Sequence, residues 1–106
     1  MNKKNINFIF LEDALSQEFD KSINRLAGAE LGEYIYVKYV REFVDWDKQN
    51  IIVFPKYLKA VSISFVKGFT KQIFKKIHKD EFNEFFAITG KGSVDFVDRF
   101  IKSIYI

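Results

Sequence analysis

The chain has 106 residues, of which 48% are apolar and 29% charged, with a formal net charge of +3 and no cysteine. This length fits one domain with a real hydrophobic core, and the apolar content argues against disorder. The absence of cysteine excludes disulfides and thiolate metal sites, and the small positive charge does not by itself indicate nucleic-acid binding.

Every apolar run in the sequence is short. None approaches the roughly 20 residues that a membrane-spanning helix needs. Near the N-terminus, the apolar run Phe8–Leu11 is followed by two acidic residues, and it is too short for the core of a signal peptide. We therefore expect no membrane segment and a cytoplasmic location.

The first part of the chain predicts one strand and one ambiguous segment. Residues 5–11 begin with alternating polar and apolar side chains and then become apolar, which is typical of a strand that is buried on both faces at its end. Residues 12–20 could form a short helix, or a loop that leads into a second short strand near Phe19.

The next segment carries both strand and helix signals. Residues 33–41 are rich in β-branched and aromatic side chains, as strands are. The apolar residues between Gly28 and Phe43 nevertheless recur with a helical period. We favour a helix over about residues 24–44. Gly28 and Gly32 weaken such a helix, but they would let its backbone lie close against a sheet.

The middle of the chain predicts a buried strand followed by a serine-capped helix. The apolar run Ile51–Phe54 ends at the only proline, Pro55. After a short connection, Ser64 stands directly before an amphipathic segment that extends to about His78, as an N-cap residue does. The apolar stripe of this helix consists of Phe65, Val66, Phe69, Ile73 and Ile77.

The last part predicts a strand, a turn and a final helix. Residues 85–89 form the strand and Gly90–Gly92 the turn, and Ser93 caps the helix. Asp98 precedes Lys102 by one helical turn, a pairing that stabilises an exposed helix. The apolar positions of this helix are Val94, Val97, Ile101 and Ile104.

Strands that alternate with helices predict an α/β fold. We expect a single small domain over residues 1–106, with a mostly parallel central sheet and about three helices. Because the strands of a parallel sheet all end at one edge, the turns at Ser62–Ser64 and Gly90–Ser93 should lie beside each other there. Open α/β sheets usually place their binding sites at this edge.

No set of residues indicates catalysis. Ser64 and Lys67 match the Ser-x-x-Lys pattern of penicillin-recognising enzymes, but the other motifs of those enzymes are absent and helix capping explains Ser64 better. The Gly90–Ser93 turn lacks the spacing of a Walker phosphate-binding loop. His78 is the only histidine and cannot alone form a triad or a metal site. We therefore expect a protein without enzymatic activity and without a cofactor.

The step from the central strand to its helix resembles a known family. The segment Val61-Ser-Ile-Ser-Phe65, preceded by the strand Ile51–Phe54, is similar to the STAS-like family of unknown function, which is related to anti-sigma-factor antagonists and sulfate-transporter domains. Asn24-Arg-Leu-Ala-Gly28 resembles the step into the first long helix of that family, and the order of elements agrees over about residues 5–106. The resemblance implies a regulatory protein–protein interaction module, with a histidine-kinase-like ATPase as candidate partner.

The resemblance also implies a site. In the antagonist proteins a serine at this turn is phosphorylated, which makes Ser62 and Ser64 the candidate phospho-acceptors. A phosphate adds about −1.5 to −2 charges near neutral pH, so it would switch the binding of a partner without refolding the domain. The candidate interaction edge consists of Phe65, Gly90, Lys91, Gly92 and Ser93.

Two alternative functions come from other classes of protein. The candidate polyanion face, which would bind nucleic acid in a salt-dependent way, consists of Lys67, Lys71, Lys75 and Lys79. A solvated helix face explains these lysines more simply, so we do not expect a nucleic-acid partner. A small mobile-element protein that binds and blocks a host complex would leave no chemical signature in the sequence.

Overall fold

The structure, a computed structural model, describes residues 5–20, 22–90 and 94–106. The described strands are β1 (Ile6–Phe10), β2 (Arg25–Leu26), β3 (Gln49–Phe54), β4 (Ala60–Val61) and β5 (Phe86–Gly90). Strands β1, β3 and β5 form a parallel sheet with β3 in the centre, and β2 pairs in parallel with β4 as a separate ribbon. The predicted α/β fold with a parallel central sheet is confirmed.

The described residues form five α-helices rather than about three. These are α1 (Glu12–Glu18), α2 (Ala29–Ile35), α3 (Ile63–Thr70), α4 (Phe82–Phe85) and α5 (Val94–Ile104). Helix α1 confirms the first of the two alternatives for residues 12–20, and α4 is a helix that the sequence did not predict. Each is short and buries a single side chain, so neither produces a periodic apolar pattern that could be recognised.

The helix predicted over residues 24–44 is present, but it begins later and changes type. Residues 25–26 belong to β2, and Gly28 separates them from α2 with a φ of 98°. After α2 the chain continues as a π-helix over Tyr36–Val40 and a 3₁₀ turn over Arg41–Phe43. The helical interpretation of residues 33–41 is therefore confirmed, and the predicted start is wrong because β2 pairs with β4.

The helix predicted from Ser64 to His78 is shorter in the structure. Helix α3 ends at Thr70 and is followed by a separate 3₁₀ turn over Ile73–Lys75. His78 does not end a helix. It starts a further 3₁₀ turn, where its Nδ1 accepts a hydrogen bond from the backbone N–H of Asp80 at 3.2 Å.

The core lies between one face of the sheet and the helices α3 and α5. Phe54 at the end of β3 contacts Phe69, Phe96 and Phe100, with ring centroids 5.2–5.7 Å apart. The face predicted for α5 is only partly correct, because Val94 is 84% exposed. The buried residues of α5 are Phe96, Phe100, Ser103 and Ile104. The helix is rotated so that its aromatic side chains, rather than Val94, reach Phe54.

Two glycines bring the backbones of α2 and α3 together. A Cβ atom added to Gly32 would lie 2.1 Å from the carbonyl oxygen of Phe65, and one added to Gly68 would lie 2.0 Å from that of Ala29. Only glycine fits at either position without a shift of the backbone. The close approach expected for Gly32 is therefore real, but its partner is a helix and not the sheet.

A buried asparagine joins the start of the sheet to its surroundings. Asn50 is fully buried, and its side-chain amide donates to the carbonyl oxygens of Asp45, Lys48 and Phe85 at 2.9–3.2 Å. Its Oδ1 accepts from the Asp45 backbone at 2.9 Å and from the Asn7 side chain at 2.7 Å. Asn50 thus ties β1, the turn before β3 and the start of β5 into one unit.

The second face of the sheet is not covered as the first is. Ile6, Phe8 and Phe10 of β1 are 53%, 53% and 67% exposed, whereas Ile9 on the opposite face is buried. The expectation that this strand is buried on both faces at its end is wrong. Alternation along a strand places successive side chains on opposite faces, and among residues 5–20, 22–90 and 94–106 the helices pack against only one of these faces.

Candidate functional site

The turn from β4 into α3 is held together by the hydroxyl of Ser62. Its backbone is extended, with φ −87° and ψ 157°, and its N–H donates to the carbonyl oxygen of Leu26 at 2.9 Å. Its Oγ accepts hydrogen bonds from the backbone N–H of Phe65 at 3.0 Å and of Gly28 at 3.2 Å. Ser62, and not Ser64, is therefore the N-cap of α3.

Ser62 also joins the starts of two helices. Gly28 occupies the N-cap position of α2, and its backbone N–H would lack this partner without the Ser62 hydroxyl. The contact between Gly28 and Ser62 spans 34 positions of the sequence. One side-chain oxygen thereby fixes the first turns of α2 and α3 relative to each other.

Ser64 lies beside Ser62 but has a different environment. The two hydroxyl oxygens are 3.0 Å apart. Both acceptor positions of the Ser62 oxygen are already used, so its hydrogen is the one available to Ser64. Ser62 is half-buried and Ser64 is exposed. Both serines lie at the turn into the helix, as expected, but one is structural and the other faces solvent.

The candidate interaction edge does not assemble as the sequence suggested. Phe65 is completely buried and stacks on Phe69 with centroids 6.0 Å apart, so it belongs to the core and cannot contact a partner. Gly90 is half-buried at the end of β5. Lys91, Gly92 and Ser93, including the predicted turn and cap, lie outside the described residues.

A charged cleft opens beside this turn. It has a volume of about 530 Å³ and lies between the β2–β4 ribbon and α5. Its charged lining residues are Arg25, Lys59, Asp95, Asp98, Arg99 and Lys102. Basic side chains outnumber acidic ones, and the predicted pair of Asp98 with Lys102 is present at 3.0 Å. Ile63, the residue between the two serines, also lines the cleft and is 44% exposed.

The sequence gives no sign of this cleft. Its lining comes from three separated parts of the chain, around Arg25, around Lys59 and along α5. Pairing of β2 with β4 and packing of α5 against β4 bring them together. A two-residue strand such as β2 produces no alternation that a sequence pattern could reveal.

The predicted polyanion face is not continuous. It consists of Lys67, Lys71, Lys75 and Lys79. Lys67 donates to the carbonyl oxygen of Ile106, and Lys71 lies 3.6 Å from the carboxylate of Glu33. Lys75 is exposed, whereas Lys79 is half-buried in the 3₁₀ turn that follows His78. Two of the four ammonium groups are thus engaged by acceptors of the chain itself.

A polar cluster on the outer surface joins α1 to α2 and to the π-helix that follows α2. The carboxylate of Glu18 accepts hydrogen bonds from the hydroxyls of Tyr34 and Tyr39, and Lys38 lies 3.3 Å from it. Lys38 also donates to the Tyr34 hydroxyl at 2.8 Å. The hydrogen bond from Tyr34, and then that from Tyr39, lowers the pKa of Glu18 below that of an ordinary glutamate.

The part of the chain that the structure describes lacks two further features. Within residues 5–20, 22–90 and 94–106, no group of three or more His, Cys, Asp or Glu side chains is arranged to hold a metal ion. No helix in the same ranges is long and apolar enough to cross a bilayer.

A scan against protein-family models, a search of curated proteins and a search of solved structures each return no match. The similarity to the STAS-like family therefore stays a prediction from the sequence.

Proposed function

We propose that the chain is a non-enzymatic regulatory module of the STAS-like kind, which binds a protein partner at the start of α3 and is switched by phosphorylation of Ser64. The observation that carries this proposal is the division of roles between the two serines. Ser62 caps α3 and accepts a hydrogen bond from Gly28, so the cap does not need Ser64. Ser64 is also exposed. A modification of Ser64 would therefore leave the fold in place.

The geometry makes Ser64 the better phospho-acceptor of the two. Phosphorylation of Ser62 would turn its Oγ into a bridging ester oxygen, although this atom already accepts two backbone hydrogen bonds in a half-buried position. Ser64 is the second residue of α3, where the unpaired N–H groups and the helix dipole favour negative charge. The chain itself would thus tolerate a phosphate at Ser64.

A bound partner would tolerate a phosphate on Ser64 less well than the chain itself does. Ile63 precedes Ser64 and offers an exposed apolar side chain of the kind that a partner surface covers. A phosphate next to Ile63 would force a negative charge into that contact, which is unfavourable unless the partner supplies arginines. Phosphorylation would in this way release a partner without any change in the fold.

The candidate partner is a histidine-kinase-like ATPase that also acts as the kinase. The similarity of residues 61–65 to the STAS-like family supports this choice, because the related antagonists are regulated in this way. The exposure of Ile63 and Ser64 supports a contact at the same turn. Labelling with radioactive ATP in the presence of the captured partner would then place the phosphate on Ser64 and not on Ser62.

The experiment compares capture from a lysate of the source cells by immobilised wild-type, Ser64→Ala and Ser64→Glu proteins. We expect wild type and Ser64→Ala to retain an ATPase, and Ser64→Glu to lose it. Ser22→Glu is the matched control, because Ser22 is also exposed but lies before β2. Retention of the same partners by Ser64→Glu would contradict the switch. Capture of a host complex without an ATPase would favour the alternative of a blocking protein.

A further inference from the structure

The open face of the sheet is a continuous apolar surface. The pairing register places Phe8, Ile51 and Ala87 in one row across the three strands, and Phe10, Val53 and Thr89 in the next. The residues of the intervening row, Ile9, Ile52 and Ile88, point to the core and are buried. Parallel sheets are normally covered on both faces, so an exposed apolar face on such a sheet requires an explanation.

The size of this face fits a protein interface. From their exposed fractions, Ile6, Phe8 and Phe10 alone leave roughly 300–400 Å² accessible, given the area that such side chains can bury. The mostly buried side chains of Ile51 and Val53 add a smaller area, which brings the face to roughly 500 Å² at most. Two such faces in full contact would bury up to about 1,000 Å², which reaches the lower limit for a specific interface.

The chemistry of the face points to a partner with the same properties. The two rows and the Ile6–Gln49 pair at their end contain no charged side chain. Charge depletion is what distinguishes the centre of a protein interface from the rest of a surface. An uncharged face cannot recognise a partner by charge, so it selects an occupant that is itself apolar and uncharged.

The side chains of the open face become smaller from β1 to β5. This gradient lets two copies of the face fit together. The β1 edge carries the large side chains of Phe8 and Phe10, and the β5 edge carries the small ones of Ala87 and Thr89. A twofold axis that lies between two facing sheets and runs parallel to β3 would place β1 of each copy over β5 of the other. Because such an axis preserves height along the strands, Phe8 would face Ala87 of the second copy and Phe10 would face Thr89.

We propose that the open face of the β1–β3–β5 sheet is a homodimer interface, occupied by the same face of a second copy with β1 packed over β5. Facing sheets lie about 10 Å apart, and large side chains opposite small ones fill that space without voids. The helices α3 and α5 lie on the other side of the sheet, so the dimer leaves Ser64 accessible. This inference does not depend on the proposed function of the Ser64 turn.

The first test is the oligomeric state of the full chain by sedimentation equilibrium across a wide range of protein concentration. We expect a dimer that Phe10→Glu weakens by at least about thirtyfold, since a buried charge replaces an aromatic anchor. Ile106→Glu is the matched control, because Ile106 is 68% exposed, compared with 67% for Phe10, but contacts Lys67 of α3 on the helical side. Circular dichroism establishes that each variant is folded.

A second variant and a cross-linking experiment test the arrangement itself. Thr89→Lys removes no apolar side chain, yet it should weaken the dimer because it places a charge under Phe10 of the second copy. The chain has no cysteine, so Phe8→Cys protein mixed with Ala87→Cys protein should give a mixed dimer with a short bismaleimide. A monomer at all concentrations, a dimer that survives Phe10→Glu and Thr89→Lys, or cross-linking of Phe8→Cys only with itself would each overturn the proposal.

Discussion

Replacement of Ser62 by alanine tests the structural role assigned to its hydroxyl. The substitution removes the N-cap hydrogen bond to Phe65, which is worth about 1 kcal/mol in proteins. It also leaves the Gly28 N–H without its acceptor, at a cost of about 1–2 kcal/mol in a half-buried site that water can partly reach. We expect Ser62→Ala to lower the free energy of unfolding by about 2–3 kcal/mol, a large part of the 5–15 kcal/mol typical of a domain.

The comparison with Ser64 makes this prediction specific. Ser64→Ala loses one exposed hydrogen bond and gains helix propensity, so the change in free energy should stay within about 0.5 kcal/mol. Ser62→Thr keeps the hydroxyl in an extended backbone conformation that threonine readily adopts, and it should cost less than about 1 kcal/mol.

The assay is urea unfolding followed by far-ultraviolet circular dichroism, which gives the free energy of unfolding of wild type and the three variants. Equal slopes of the transitions show that these free energies can be compared. Equal effects of Ser62→Ala and Ser64→Ala, or a change of less than about 0.5 kcal/mol for Ser62→Ala, would refute the assignment of Ser62 as the shared cap. Destabilisation of Ser62→Thr to the level of Ser62→Ala would show that packing, and not the hydroxyl, accounts for the loss.

Three further predictions concern other parts of the fold. Gly32→Ala should lower the melting temperature although alanine favours helices by about 1 kcal/mol, because its Cβ would lie 2.1 Å from the Phe65 carbonyl and overpacking costs about 1–3 kcal/mol or more; a rise in melting temperature would contradict the close helix crossing. Asn50→Leu should cost at least about 3 kcal/mol in urea unfolding, because several buried backbone groups lose their partner at once; a neutral result would show that water replaces them. The lowered pKa of Glu18 means that its contribution to stability is complete above the pKa of an unfolded glutamate and is lost as the pH falls through the lower, folded value. Glu18→Gln should therefore flatten the acid limb of a stability profile measured against pH, and an unchanged limb would contradict the cluster.

The strand and helix order could be predicted because it depends on local patterns. The apolar run at Ile51–Phe54, closed by Pro55, became the central strand, and residues 85–89 became the strand beside it. Alternation with helices then required parallel pairing, which the structure confirms. The short helix α4 was not predicted and α1 was left as one of two alternatives, because each places only one side chain in the core.

The candidate site was predicted only in part, and two errors have clear physical causes. Phe65 was expected at a surface, but helix α3 turns it toward Phe69 and the core. Ser64 was expected to cap the helix, but the cap lies two residues earlier. The backbone N–H of Ser62 donates to Leu26, which holds Ser62 in the extended conformation of an N-cap residue. Either serine satisfies the sequence pattern of a cap, and the pairing of β2 with β4 selects between them.

The sequence by itself determined the class of fold, because hydrophobic period, proline and glycine act within a few residues of one another. It determined that two serines stand at the start of the helix that follows the central strand and a short connection. Only the tertiary structure decided which serine holds the fold and which one faces solvent, since the deciding contact joins Ser62 to Gly28 across 34 positions. The same holds for the open face of the sheet: alternation in β1 predicts two faces, and only the packing of α3 and α5 decides which of them is left uncovered.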